Sequence, residues 1–317
     1  MEHGLNAIEA SLLAMTSQPA LGYNCGMIQL ENVTKRYDDT TVVDSLNLQI
    51  HSGEIVGIIG HNGAGKSTTM KMIAGLVEPT SGRVLVMGQD IQKGGTRVKQ
   101  RIGYLSEESP LYEAMTAEQY LLFFSELYQM PRPKALKRID MLLASLDLPE
   151  KNKLTGEFSK GMKRKTAIAR ALLHDPDLLI LDEPNSGLDP LTSFFIINYL
   201  KTLRREGKTI LLSAHNLFHV ETICDRVGII KNGKLLIFDT MDAIRARLGK
   251  REYQVIFHTD EKLDYEQVNG NYIFRTAEVD AIAGMLETVS ANDWTLMDLS
   301  MRESALEEIY VKLMTNG

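Results

Sequence analysis

Residues 60 to 67 read Gly60-His61-Asn62-Gly63-Ala64-Gly65-Lys66-Ser67, which fits the spacing G-x-x-x-x-G-K-[ST]. The segment before it, Glu54 to Ile59, has the continuous apolar composition of a buried strand. After it, Ser67 to Leu76 puts Met70, Ile73 and Leu76 or Val77 on one helical face. Strand, glycine-rich loop and helix in that order are the context that the motif requires. Glycines let the backbone curl so that successive N–H groups point inward, and the positive end of the following helix adds to the attraction for an anion. Lys66 is suited to neutralise the β and γ phosphates of a nucleotide. The Ser67 hydroxyl is suited to ligate magnesium, a hard cation that prefers oxygen. Gly60 to Gly65, with Thr68 beyond the motif, complete the predicted phosphate contacts.

A second segment supplies what such a loop lacks. Leu178-Leu-Ile-Leu181 is a buried-strand run that leads directly into Asp182 and Glu183. Ligands bind at the carboxyl ends of strands in open α/β sheets, so this is where two carboxylates meet a bound phosphate. Asp182 is expected to hold magnesium through its water shell, and Glu183 to orient or deprotonate an attacking water.

The 317 residues predict about two domains. With 44% hydrophobic and 24% charged residues, the composition is globular, not disordered. The net charge of -6 offers no global positive field, so nucleic acid is not expected as a ligand. Cys25 and Cys224 are too few for a disulfide framework, and no zinc spacing is present. No apolar run approaches the ~20 residues of a membrane-spanning helix, and no secretory signal is visible. The expected location is therefore inside the cell, at a membrane only through a partner.

Residues 1–26 read as an extension, with Met27 as an alternative start. Residues 27–240 read as an α/β domain with a helical insertion over about 107–172. Within it, Thr116 and Gln119 form a capping box ahead of an apolar stripe of Tyr120, Phe123, Phe124, Leu127 and Tyr128, suited to core or to partner docking. Residues 241–317 read as a linking helix at Met241 to Leu248 and a small α+β domain. Its strand candidates are Tyr253 to Phe257, Tyr272 to Phe274 and Trp294 to Leu299. Its helices are Val279 to Val289 and Ala305 to Met314, the second introduced by a capping box at Ser304 and Glu307. Lys163, Arg164, Lys165 and Arg170 spread around their helix and read as a solvated face.

Taken together, these residues resemble the nucleotide-binding subunit of an ATP-binding cassette (ABC) transporter over roughly Ile28 to Phe238. Phe158-Ser159-Lys160-Gly161-Met162 stands where that family has its Leu-Ser-Gly-Gly-Gln signature. The resemblance implies that Ser159 and the backbone at Gly161 touch the γ phosphate of an ATP held by the opposite subunit, so that two ATP molecules are sandwiched in a dimer. It implies adenine stacking on Tyr37, a switch role for His215, and subunit sensing through Ser186-Gly-Leu-Asp189. Asp189 is equally suited to start a helix before Pro190. Glu107 stands where most members have Gln, and a carboxylate there is suited to ligate magnesium. Beside phosphate it also meets like charge, worth about 4 kcal/mol at 4 Å and an effective dielectric of 20.

The expectation is a P-loop ATPase using ATP and Mg2+ that pairs with a second nucleotide-binding subunit and powers a separate membrane permease. An order of cassette followed by small domain resembles bacterial exporters with separate ATPase and permease chains. The alternative is a soluble ABC-type ATPase of DNA repair or translation. One cassette, no sustained heptads and no zinc spacing argue against it.

Overall fold

The computed structural model describes residues 26–315. Of the predicted extension over residues 1–26, residues 1–25, Cys25 included, lie outside the described residues. The chain starts with a hairpin of β1 (Ile28–Tyr37) and β2 (Thr40–Ile50), then β3 (Ile55–Ile59) and α1 (Lys66–Ile73). β4 (Ser81–Val86) and β5 (Gln89–Asp90) complete an antiparallel sheet in the order β2-β1-β4-β5. After α2 (Gly95–Lys99) and β6 (Ile102–Leu105) comes the helical region, with α3 (Ala117–Leu127), α4 (Arg132–Ser145) and α5 (Lys160–Leu172). Then follow β7 (Leu178–Leu181), α6 (Pro190–Arg205), β8 (Thr209–Ser213), α7 (Leu217–Ile223), β9 (Arg226–Lys231) and β10 (Lys234–Thr240). The tail consists of α8 (Met241–Leu248), β11 (Arg251–His258), β12 (Glu266–Val268), β13 (Asn271–Thr276), α9 (Val279–Ala291), β14 (Thr295–Glu303) and α10 (Leu306–Thr315).

The central sheet runs β10-β9-β3-β8-β7-β6 and is parallel except for β10 at its edge. Every residue of β3, β7 and β8 is buried, as expected for parallel strands covered on both faces. Their side chains alternate between two cores. Ile55, Ile59, Leu179 and Leu181 face the helical region, while Val56, Ile58, Leu178 and Ile180 face the antiparallel sheet and α1. Register aligns the strand ends: Leu105 pairs with Leu181, Leu181 with Leu212, and Ile58 with Ser213. The loops after β6, β7, β8 and β3 therefore emerge side by side.

Two details refine the sequence reading, the helical start and the aromatic stripe, and two depart from it, the end of α1 and the cap of α10. α1 stops at Ile73, not Leu76, because Gly75 (φ of 68°) ends it in a Schellman turn in which Leu76 N–H donates to Lys71 O. Leu76 is consequently exposed. Residues 106–115 form a loop, so helix begins only at α3. Within the aromatic stripe, Tyr120 is buried and Tyr128 stacks on His174 with centroids 4.1 Å apart, whereas Phe123 and Leu127 are exposed. The Ser304 hydroxyl does not cap α10, because it accepts the Lys250 backbone N–H at 3.0 Å.

The tail sheet runs β12-β13-β11-β14, all antiparallel. β12 is one strand more than the sequence suggested. α9 covers one face around Val255, Phe257, Tyr272, Met285 and Val289, with Trp294 stacked on Phe257. The last helix leaves this layer. Leu306 and Ile309 of α10 join the main core beside Val220 and Ile223 of α7, and Lys231 Nζ donates to Met314 O at 2.9 Å.

The predicted capping box at α3 is complete: Gln119 N–H donates to Thr116 Oγ1 at 3.2 Å, and Thr116 N–H to Gln119 Oε1 at 2.9 Å. Replacing Thr116 by Ala removes one acceptor at a helix end and is expected to lower unfolding free energy by about 1 kcal/mol in urea denaturation.

Candidate active site

The loop after β3 closes tightly because two of its glycines have no room for a side chain. A Cβ on Gly60 would lie 2.4 Å from Ile230 O. One on Gly65, at a φ of 104°, would lie 2.6 Å from Val42 O. Only glycine tolerates that combination of positive φ and close backbone. The curl brings Lys66 back over its own loop, where Nζ donates to Gly60 O at 2.8 Å and to His61 O at 3.3 Å. Lys66 is only 7% exposed, and among the described residues it has no carboxylate partner. A buried ammonium held by carbonyls alone is incomplete without an anion. The cleft beside it, about 570 Å³, is lined by Asn62 to Thr68, Val42, Glu107, Glu183, Ser186 and His215.

The neighbouring strands deliver the acid and base groups. Asp182 is 2% exposed and accepts the Ser213 hydroxyl at 2.5 Å. Ser213 in turn accepts the Glu183 N–H at 3.0 Å, so one hydroxyl sets the spacing of both acids. Glu183 adopts a φ of 50°, unusual for a residue with a Cβ, and turns its carboxylate back over the cleft. There Oε2 lies 2.6 Å from His215 Nδ1. A carboxylate paired with an imidazole beside a phosphate cradle has the geometry of a base and its orienting partner. Burial, with the Asp182 charge, pushes the Tyr104 hydroxyl up to about 12, so it stays neutral.

The donor set also fits a magnesium ion. Among the described residues no three His, Cys, Asp or Glu converge as a metal site. Mg2+ commonly uses one or two carboxylates and completes its shell with phosphate oxygens and water. Ser67 and Glu107 line the cleft, and Asp182 lies at the strand end beside it.

Other predicted residues lie elsewhere. Ser159 caps α5 by accepting the Met162 N–H at 3.2 Å, and a Cβ on Gly161 would touch Thr192. Neither lines the cleft of its own chain. Tyr37 is 45% exposed, with Lys35 Nζ 4.9 Å from its ring centroid, and it does not line the cleft, although Val42 of the same hairpin does. His61 faces away, toward Asn62 O and Asn232. Asp189 caps α6 through Thr192, ahead of Pro190.

Sequence reasoning missed Ser213 and misjudged Arg164. Arg164 is not on a solvated face; it is 8% exposed. Its guanidinium donates to Ser106 O at 3.1 Å, Glu107 O at 2.9 Å and Glu183 O at 3.2 Å. Burial pulls its pKa down, and the charges of Glu107, Asp182 and Glu183 oppose this. One side chain of α5 thus ties the loop after β6 to the loop after β7. Lys163 and Lys165 pair instead with Glu113 and Asp147, and Arg170 with the Tyr120 hydroxyl.

Residues 43–186 match the family described as ABC transporter. The ABC transporter ATP-binding protein NatA of Bacillus subtilis is 40% identical over 73% of this chain and 96% of its own length. The bacitracin transport ATP-binding protein BcrA of Bacillus licheniformis is 36% identical over 92% of this chain and 98% of its own. The chain belongs to the ABC transporter family. It is an ATP-binding, ATP-hydrolysing subunit of that family. Among solved structures, an ATP-binding subunit of an ABC transporter shares 34% identity with a TM-score of 0.64, covering 70% of this chain and 92% of its own. A dimeric ATP-binding cassette in a post-hydrolysis state, bound to ADP and Pi, shares 28% identity with a TM-score of 0.62, covering 68% and 99%.

In this ABC subunit, Arg164→Ala strips a donor from three backbone carbonyls. It is expected to reduce the kcat of ATP hydrolysis by about 10- to 100-fold through misplacement of Glu183 and Glu107. KM for ATP should change much less, since Arg164 touches no part of the loop after β3. Steady-state ATPase kinetics on the folded variant check this, and Arg164→Lys should recover part of the loss.

Proposed function

We propose that this ATPase drives a separate membrane permease, and that its chemical step belongs to Glu183 supported by His215. The observation that carries the assignment is the 2.6 Å contact between Glu183 Oε2 and His215 Nδ1 at the rim of the Lys66 loop. Lys66 meets the β and γ phosphates of ATP, and the amides of Gly63 to Thr68 hold them from below. Magnesium, when bound, neutralises the charge that develops as the γ phosphoryl group leaves. Ser67 and Asp182 would hold it, with Glu107 a third oxygen donor from the neighbouring loop. Glu183 accepts a proton from the attacking water, and His215 fixes the direction of its carboxylate. Tyr37 offers its ring to adenine from the edge of the hairpin.

Ser159 and Gly161 stand away from their own cleft, and this supports their acting on ATP held by a second copy. Closing two copies face to face would bring each α5 N-terminus to the other's γ phosphate. The nucleotide then biases the pair between closed and open states, which is how hydrolysis reaches a permease. Among the described residues no helix is long and apolar enough to cross a membrane; in this reading the pathway belongs to another chain. This subunit would then sit at the cytoplasmic face, attached through that chain. The exposed Phe123 and Leu127, with Tyr112 from the loop that carries Glu107, offer the contact surface. We assign the cassette to residues 27–240 and an accessory domain to 241–317. The match to the bacitracin transport protein along 92% of the chain supports a transport role for the whole chain, tail included.

Single-turnover hydrolysis tests the base. Glu183→Gln keeps the size of the side chain and removes its basicity. It should slow cleavage of bound ATP by at least ~100-fold, within the range of general-base contributions, while ATP affinity stays within a few-fold. Equal single-turnover rates in wild type and variant would remove Glu183 from the chemical step.

A further inference from the structure

The tail sheet has two very different edges. β12 is three residues long, and its Glu266 is held by Arg275 of the adjacent strand. β14 is nine residues long, among the described residues pairs with β11 along one side only, and is exposed from Thr295 to Arg302. A long open strand presents unpaired N–H and C=O groups, and proteins usually blunt such an edge with lysine, proline or a cover. β14 contains neither lysine nor proline; its bulge falls at Met297 and leaves the run from Asp298 to Glu303 in regular register with β11. It carries Leu296, Met297, Leu299 and Met301, each about half exposed.

We propose that β14 pairs antiparallel with β14 of a second copy of this chain, joining two four-stranded tail sheets into one of eight. The charges on the strand select both the occupant and the register. Centred on Ser300, self-pairing sets Asp298 of each copy opposite Arg302 of the other, and Leu299 opposite Met301. Opposite charges directly across a strand pair are favourable. Among the described residues Asp298 has no ion pair within its own chain, and Arg302, which stands opposite Glu252 in its own ladder, forms an ion pair only with the exposed Glu308. Centring on Leu299 would instead set Arg302 against Leu296 and Met297 against Met301, leaving both charges without a cross-strand partner.

Sidedness agrees with that register. Leu299 and Met301 pair with Val255 and Tyr253 of β11, on the face whose Val255 and Phe257 form the tail core under α9. Two Leu299 and two Met301 side chains would therefore form one apolar row continuous with both small cores. Asp298, Ser300 and Arg302 occupy the opposite face, where ion pairs remain hydrated. The contact lies outside the ATP cleft and needs no nucleotide, so it stands apart from the closure proposed around Ser159.

Cysteine cross-linking of the full-length chain carrying Cys25→Ser and Cys224→Ser tests the pairing. Ser300→Cys places two thiols across the twofold axis with Cα atoms about 5 Å apart, within disulfide reach. Mild oxidation without nucleotide should give a covalent dimer. Asp298→Cys alone should not, because its two copies stand four residues out of register, about 13 Å apart. Mixing Asp298→Cys chains with Arg302→Cys chains should restore cross-linking. Sedimentation should show Asp298→Arg weakening self-association and the double exchange Asp298→Arg with Arg302→Asp recovering it. A Ser300→Cys chain that stays monomeric on oxidation, or that cross-links only when ATP is added, overturns the proposal. So does Asp298→Cys cross-linking as readily as Ser300→Cys.

Discussion

Level endings of adjacent parallel strands are the constraint from which the site follows. β3, β8 and β7 lie next to each other, and the pairs Ile58 with Ser213 and Leu181 with Leu212 bring their last residues to one line. Each strand is buried on both faces, so a slip by one residue would move side chains between two packed cores. Register is therefore held by many apolar contacts, far more strongly than the polar groups beyond it could hold it. Lys66, Ser213 and Glu183 inherit their mutual positions from that alignment. A hydroxyl at the end of β8 can consequently touch Asp182 and the Glu183 amide at once.

Burial of charge then decides what the aligned loops can do. Lys66 and Arg164 are both cations withdrawn from water, and both are held by backbone carbonyls, with no carboxylate salt bridge among the described residues. Their consequences differ. The Lys66 ammonium opens onto a cleft, so its remaining capacity is available to phosphate oxygens. Arg164 spends its donors on the loops carrying Glu107 and Glu183, so it works as a brace. The helix that carries Arg164 begins at Ser159, whose hydroxyl caps it. Any tilt of α5 as Ser159 meets a second copy would be felt by Glu107 and Glu183 through this side chain, which gives the two halves of the site a mechanical link.

The parts legible in the sequence were those whose chemistry is local. The Gly60 to Ser67 loop announces itself because its backbone cannot form without glycine at close-packed positions. Asp182 and Glu183 are recognisable because four apolar residues precede them. The Thr116 cap was legible for the same reason, since both of its bonds lie within four residues. Arg164 was not, because charges at helical spacing look alike until the loops at Ser106 and Glu183 arrive from 58 and 19 residues away. Ser304 has the spacing of a cap, yet the Lys250 amide 54 residues upstream competes for its oxygen and wins. β12 escaped notice because three exposed residues carry no periodic signal.

The tail is joined to the cassette at a mechanically sensitive place. α10 leaves its own sheet and packs Leu306 and Ile309 against Val220 and Ile223 of α7. α7 begins two residues after His215, and the Asn216 side chain caps it. A shift of α7 therefore carries both the imidazole that orients Glu183 and the seat of α10. β14 is separated from α10 by only Ser304 and Ala305, and Ser304 is pinned to Lys250 at the start of β11. The connection between the tail sheet and the His215 imidazole is thus short and made of packed or hydrogen-bonded steps. Two tail sheets fixed to each other would restrict the rotations available to both copies of α7. Coupling of this kind requires α7 to have two distinct seats, because a contact that is equally good in both cannot shift the balance between them.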